Sequence, residues 1–225
     1  MDVSRVLHRM PLFAGLSKGE LQIIAQFTTP RYYRRNQAII KAGERGNVFF
    51  LLIAGAVRVS VEGHRGKAIT LGVLYPNDFF GEMALLDGLP RSATVTAIEE
   101  SQVLVISRKD FLGCIQKVPQ IATKMIVTLS LRLRRADQQV GNLVFLRAPR
   151  RVARTLLDLA LRQGQRLDDG VVVELHFTRQ ELAALAGVSR ETFVRLLAKF
   201  RQMGVLTIER RSLFILDLHR LEELT

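Results

Sequence analysis

Residues 79–95 read Phe-Phe-Gly-Glu-Met-Ala-Leu-Leu-Asp-Gly-Leu-Pro-Arg-Ser-Ala-Thr-Val and hold the densest chemistry in the chain. Gly81 lets the backbone turn and come close to a ligand, and residues 82–86 can wind into one short helical turn whose first amides suit an anion. Arg91 adds a guanidinium fork and Ser92 a hydroxyl, both fitted to phosphate oxygens. Glu82 repels phosphate but accepts hydrogen bonds from a sugar hydroxyl. Together these residues describe a pocket for a phosphate joined to a sugar. The plainer alternative is that Glu82 and Arg91 close a loop as a surface ion pair, which stabilises little.

A second chemical group begins at Ser189, which caps a helix with Phe193, Leu196, Leu197 and Phe200 at i, i+3, i+4 and i+7. Arg190, Glu191, Thr192 and Arg195 stay off that apolar face. Arginine bonds bidentately to guanine O6 and N7 and glutamate accepts from cytosine N4, so the set can read base edges. An ordinary solvated face with a Glu191–Arg195 pair is the alternative. Just upstream, Thr178-Arg179-Gln180-Glu181 forms a capping box for a helix that runs to Ala186 and is stopped by Gly187. Helix, glycine turn, helix is the helix-turn-helix pattern. Met203–Leu216 alternates about a turn at Glu209–Ser212, as a β-hairpin wing would.

The remaining reactive residues do not assemble. His8, His64, His176 and His219 are scattered without metal-ligand spacing, and none stands beside a credible nucleophile. The single cysteine, Cys114, excludes an internal disulfide framework and a four-cysteine iron–sulfur site within one chain. An enzyme is not expected, and no tightly bound cofactor is implied. Haem on the same scaffold, or an adaptor acting only through protein partners, are the rival classes.

Behind these groups stand the elements that must position them. Residues 1–25 read as one or two short helices, with Ser17 capping Lys18–Ala25 and Glu20 completing a capping box. Phe49–Ile53, Val57–Val61, Ile69–Leu74, Thr94–Ala97 and Val103–Ile106 are short strands punctuated by Gly43, Gly46, Gly55, Gly63, Gly66, Gly72 and Gly81. Their spacing predicts an all-β first domain, a compact antiparallel sandwich or barrel.

Between the two chemical groups, Ala122, Ile126, Leu129, Leu133, Ala136, Val140 and Leu143 follow gaps of 4 and 3 in alternation. That is a heptad seam with Ile126, Leu133 and Val140 at a, and it predicts a long helix zipped to the same helix of a second chain. Arg132 at g and Asp137 at the following e can bridge charge across it. Arg147–Arg151, with Pro149, reads as a linker, Val152–Arg162 as a helix, and Gly164–Gly170 as a turn.

A chain of 225 residues accommodates two modest domains and a connector, and a net charge of +12 favours a polyanionic partner. No apolar run reaches the ~18 residues a membrane span needs. Met1–Arg5 lacks a secretory pattern, so a cytoplasmic protein with no membrane partner is expected.

Gly81-Glu82-Met83-Ala84-Leu85, followed by Pro90-Arg91-Ser92-Ala93-Thr94, resembles the phosphate-binding cassette of cyclic-nucleotide-binding domains. Gly43, Gly46, Phe50, Ile53, Gly55 and Val57 match that family's framework. The segment 177–204 resembles the helix-turn-helix of the cyclic-AMP receptor and fumarate–nitrate regulator (CRP/FNR) family of bacterial transcription factors. Val140-Gly141-Asn142-Leu143 with Phe145-Leu146 matches its junction.

The resemblance covers nearly the whole chain and implies an α+β architecture. Residues 1–118 would form an antiparallel β-roll that binds a cyclic nucleotide, 119–146 a dimerisation helix, and 147–225 a winged helix-turn-helix. Glu82 would hold the ribose 2′-hydroxyl, while Arg91, Ser92 and the backbone at Gly81, Met83 and Ala93 hold the cyclic phosphate. Arg190, Glu191 and Arg195 would read bases of a TGTGA-like half-site in double-stranded DNA. Thr178, Arg179, Gln180, Ser189 and Thr192 would contact the backbone or support the readers.

The family also implies a homodimer, RNA polymerase as a partner, and cyclic AMP as effector. On the long helix the family uses a threonine and a serine toward adenine, where this chain has Ala136 and Asp137. Asp137 can accept from an adenine amino group, from guanine N1 and N2, or from Arg132 of a partner helix. Cyclic GMP, cyclic di-GMP or no obligatory ligand therefore stand beside cyclic AMP.

Overall fold

A computed structural model of the chain describes residues 2–63, 68–167, 170–175 and 177–225, leaving out the side chains of 139 and 142–145. His64, Gly66, His176 and the Leu143 side chain lie outside the described residues. The chain divides into two compact units, Met1–Arg134 and Arg135–Thr225.

The first unit opens with α1 (Val3–His8), a 3-10 turn at Pro11–Phe13 and α2 (Lys18–Ala25), whose Ser17–Glu20 capping box is formed as expected. Eight strands follow: β1 (Thr29–Tyr33), β2 (Ala38–Ile40), β3 (Val48–Ala54), β4 (Val57–Glu62), β5 (Ala68–Leu74), β6 (Phe79–Phe80), β7 (Thr94–Ala97) and β8 (Ser101–Ser107). A short α3 (Glu82–Asp87) interrupts them after β6, and α4 (Arg108–Lys117) follows β8. The strands make two antiparallel sheets, ordered β1-β8-β3-β6 and β2-β7-β4-β5.

Strand β3 shows why the two layers hold. Phe50 and Leu52 point into the core between the sheets with Val57, Phe80, Val95, Val103 and Val105, whereas Phe49 and Leu51 point to the opposite side. There they meet Phe13, Phe79, Phe111 and Ile121, with the Phe49 and Phe111 rings stacked at 4.2 Å. A strand buried on both faces must read as an unbroken apolar run, and this one does. The first unit is therefore not all-β. Its helices cover one face of the first sheet, and α4 was absent from the sequence reading.

Helix α5 (Gln120–Phe145) runs through the boundary between the units. Ile121 and Met125 are buried in the first unit's core, and Leu129 packs against it. The a-position residues Ile126, Leu133 and Val140 remain 64%, 63% and 62% exposed.

The second unit contains α6 (Ala148–Gln163), β9 (Gln165–Leu167), β10 (Gly170–Glu174), α7 (Arg179–Leu185), α8 (Arg190–Gln202), β11 (Leu206–Glu209), β12 (Ser212–Ile215) and α9 (Leu218–Glu223). Pro149 sits in the first turn of α6, where its fixed φ and missing N–H are tolerated, so the expected linker shrinks to Leu146 and Arg147. The supposed turn at Gly164–Gly170 includes β9, which joins a four-stranded antiparallel sheet ordered β11-β12-β10-β9.

Candidate nucleotide pocket and nucleic-acid interface

Gly81 caps α3 with φ +80°, a left-handed conformation. A Cβ there would come within 2.7 Å of Arg91 Nη1. The Arg91 side chain is buried, and it does not pair with Glu82 among the described residues. Its Nη1 donates to the Gly81 carbonyl at 2.7 Å and its Nη2 to the Val48 carbonyl at 2.9 Å. The guanidinium also lies 5.8 Å from the Phe50 ring centroid. Gly46 makes room for it, since a Cβ at that position would fall 2.2 Å from Arg91 Nε. Burial pushes the Arg91 pKa down, while the charges of Glu82 and Glu44 pull it back up.

Glu82 is buried and meets a different cation. Arg132 reaches from α5, placing Nη1 at 3.2 Å from Glu82 Oε1. Its Nη2 donates to the Phe79 carbonyl, and its guanidinium sits 4.4 Å from the Phe79 ring centroid. Two of the five N–H donors of Arg132 are thus engaged inside its own unit. It also means that the carboxylate assigned to the sugar is tied to the long helix by one side chain.

Ser92 is exposed, and its hydroxyl donates to the Met83 Sδ at 3.4 Å. Ala93 is half-buried beside it. Gly81, Glu82, Met83, Arg91, Ser92 and Arg132 are thus brought together. Asp137 is exposed on the part of α5 that belongs to the second unit, next to Ala136. Arg108 was not foreseen: its Nε donates to the Leu85 carbonyl at 2.7 Å and anchors α3. Such anchors on backbone carbonyls leave no signature in residue type.

In the second unit the expected caps are present. Thr178 Oγ1 accepts from the Glu181 amide at 3.2 Å, and Glu181 Oε2 accepts from the Thr178 amide at 2.8 Å. Ser189 Oγ accepts from the Thr192 amide at 3.2 Å, giving both residues a supporting role. Leu182, Ala183, Phe193, Leu196, Leu197 and Phe200 bury the faces that α7 and α8 share with the rest of the unit. Arg190, Glu191 and Arg195 are left exposed on α8, and Arg179 and Gln180 at the start of α7.

Arg151 lies in a basic stretch that reads as a linker, yet it has a structural task. Its Nε donates to the Ala186 carbonyl at 3.1 Å, Nη2 to the Gly187 carbonyl at 3.0 Å and Nη1 to the Leu146 carbonyl at 2.8 Å. One planar fork thereby fixes the turn between α7 and α8 to the chain just beyond α5.

Comparison with known proteins agrees with this geometry. Residues 30–118 match the cyclic nucleotide-binding domain family, and residues 150–224 match the Crp-like helix-turn-helix domain. The cyclic AMP receptor protein of Thermus thermophilus is 36% identical over 214 residues, covering 95% of this chain and 96% of that protein. The CRP-like cAMP-activated global transcriptional regulator of Mycobacterium tuberculosis is 30% identical over 219 residues, covering 97% and 98%. Among solved structures, the c-di-GMP responsive global regulator CLP of Xanthomonas campestris superposes with a TM-score of 0.78 at 25% identity, covering 88% and 99%. These relatives are transcription regulators, not enzymes. By both its domains and its full-length relatives, the chain belongs to the CRP/FNR family of transcription regulators, with a cyclic-nucleotide-binding domain and a helix-turn-helix.

Proposed function

We propose that the protein is a homodimeric regulator that binds TGTGA-like palindromic DNA under the control of a cyclic nucleotide, cyclic AMP first. Residues 1–118 sense the nucleotide, 119–146 hold the two copies together, and 147–225 read DNA. The observation that carries this reading is the Glu82–Arg132 pair, because it joins the sugar-binding carboxylate to the helix that bears the exposed seam.

A ribose hydroxyl donating to Glu82 changes the charge balance that Arg132 feels, so ligand in the pocket is felt along α5. Two of the five N–H donors of Arg91 are committed to carbonyls, which fixes the fork and directs its remaining donors and charge at the phosphate. Ser92 and the backbone at Gly81, Met83 and Ala93 complete that contact. Shifting the DNA-competent fraction from about 1% to about 99% requires roughly 5.5 kcal/mol of differential affinity between the two states.

Paired α8 helices would enter successive major grooves about one DNA turn apart, with Arg190, Glu191 and Arg195 at the base edges. Thr178, Arg179 and Gln180 lie toward the backbone. RNA polymerase is the protein partner this role calls for.

A second reading has its own observation. Ala136 and Asp137 supply no hydroxyl toward an adenine, and a carboxylate suits guanine N1 and N2. Cyclic GMP or cyclic di-GMP then replaces cyclic AMP on the same framework; the Xanthomonas relative is named as c-di-GMP responsive.

Titrating labelled palindromic DNA with and without each of the three nucleotides tests both readings. Cyclic AMP is expected to tighten binding most, and a stronger effect of either guanine nucleotide selects the second reading. Full affinity without any nucleotide removes the switch. In the same assay Glu191→Ala is expected to relax discrimination at one base pair by about 1–3 kcal/mol, with non-specific binding retained.

A further inference from the structure

The cassette carries a sulfur atom that nucleotide binding does not require. Met83 stands in the first turn of α3 with 52% of its surface exposed, whereas Met10 and Met125 are buried and Met203 is half-buried. Its Sδ accepts the hydrogen bond of the Ser92 hydroxyl at 3.4 Å. That hydroxyl is one of the donors assigned above to the phosphate. A thioether is a weak acceptor, so it holds Ser92 lightly and yields it to a phosphate oxygen.

We propose that Met83 is a methionine-oxidation site that tunes the nucleotide pocket: its sulfoxide retains the Ser92 hydroxyl and lowers affinity for the phosphate. The proposal rests on the reading of this cassette as a phosphate site. The oxidant is a peroxide. The sulfur lone pair attacks one oxygen of hydrogen peroxide, an S–O bond forms, the O–O bond breaks, and the departing hydroxide takes up the remaining proton as water. Sulfur loses two electrons and the peroxide gains them.

The product replaces a weak acceptor with a strong, polar one on an atom already in contact with Ser92. The negative end of the S–O dipole then lies beside a site meant for an anion. Reduction of the sulfoxide by the methionine sulfoxide reductase reaction restores the thioether. Selectivity follows from accessibility, because the buried thioethers of Met10 and Met125 are shielded.

The test uses the full-length protein, graded hydrogen peroxide, peptide mass spectrometry to locate added oxygen, and calorimetric titration with cyclic AMP, cyclic GMP and cyclic di-GMP. Met83 is expected to gain oxygen before Met10, Met125 and Met203. Affinity is expected to fall in step by about tenfold, the scale of one lost hydrogen bond to a charged group. Met83→Gln, which places a fixed polar acceptor there, is expected to show the lowered affinity without peroxide. Met83→Leu is expected to bind equally before and after treatment, whatever its starting affinity.

Oxidation of Met83 with no change in affinity overturns the proposal, as does slower oxidation at Met83 than at the buried methionines. A Met83→Leu protein that loses affinity as steeply as the natural chain overturns it too. Failure of the phosphate reading looks different. The untreated protein then takes up none of the three nucleotides although Met83 oxidises normally, and the proposal falls with that reading.

Discussion

Arg91 braces the candidate pocket from within the protein. Its two bonds to the Gly81 and Val48 carbonyls let it brace the turn that opens α3 while keeping its charge near the cassette. Arg91→Lys keeps the charge and loses the fork. One partly buried carbonyl then loses its Arg91 donor, so urea unfolding is expected to show a loss of about 1 kcal/mol, with weaker nucleotide binding in calorimetry. Cys114 gives the pH-dependent case. Burial raises its thiol pKa above the ordinary value of 9.0, with Asp110 adding to the shift. The unfolded chain therefore loses that proton first, and stability falls as pH rises through about 9 toward the folded pKa. Urea titrations from pH 8 to 10 are expected to show this decline, and a Cys114→Ala protein is expected to show less of it. The candidate pocket residues Gly81, Glu82, Met83, Arg91 and Ser92 were legible as a group because they lie close together in sequence, and the fold keeps them together. The Glu82–Arg132 pair was not, because its partners are 50 residues apart and only the fold brings them together.

Elements were legible where the pattern was local and strong. The burial of β3 and β8 on both faces shows as near-continuous apolar runs, and both capping boxes announce their helices by spacing alone. Strand β6 escaped because two residues carry no periodicity, and β9 because Gln165, Arg166 and Leu167 are all exposed and read as a loop. Pro149 was misassigned because the same residue that ends one helix is also favoured in the first turn of the next. The Thr178 cap can be measured directly. Thr178→Ala is expected to lower stability by about 1 kcal/mol in thermal or urea unfolding. Because α7 supports the reading helix, the same change is expected to weaken DNA binding evenly across sequences rather than at one base pair.

At the scale of the molecule, the unexplained surface is the seam of α5. Ile126, Leu133 and Val140 leave large apolar side chains in water at seven-residue spacing, while the same helix buries Ile121 and Met125 in its own unit. A second copy is the simplest cover for such a stripe. Leu133→Asp is expected to give a monomer by sedimentation at micromolar concentration, with operator affinity falling at least tenfold because two half-sites are no longer gripped together. Equal dimer content in that variant would place the contact elsewhere. Arg151 has a mechanical corollary. Three backbone points, one just past α5 and two between α7 and α8, are clasped by a single flat cation. A turn of the chain leaving α5 would then reach α7 and α8 through one cation instead of through loose chain. Arg151→Lys, which offers one point charge in place of the fork, is expected to loosen that clasp, so that nucleotide and operator each still bind while the effect of one on the other, read by titrating DNA with and without nucleotide, falls.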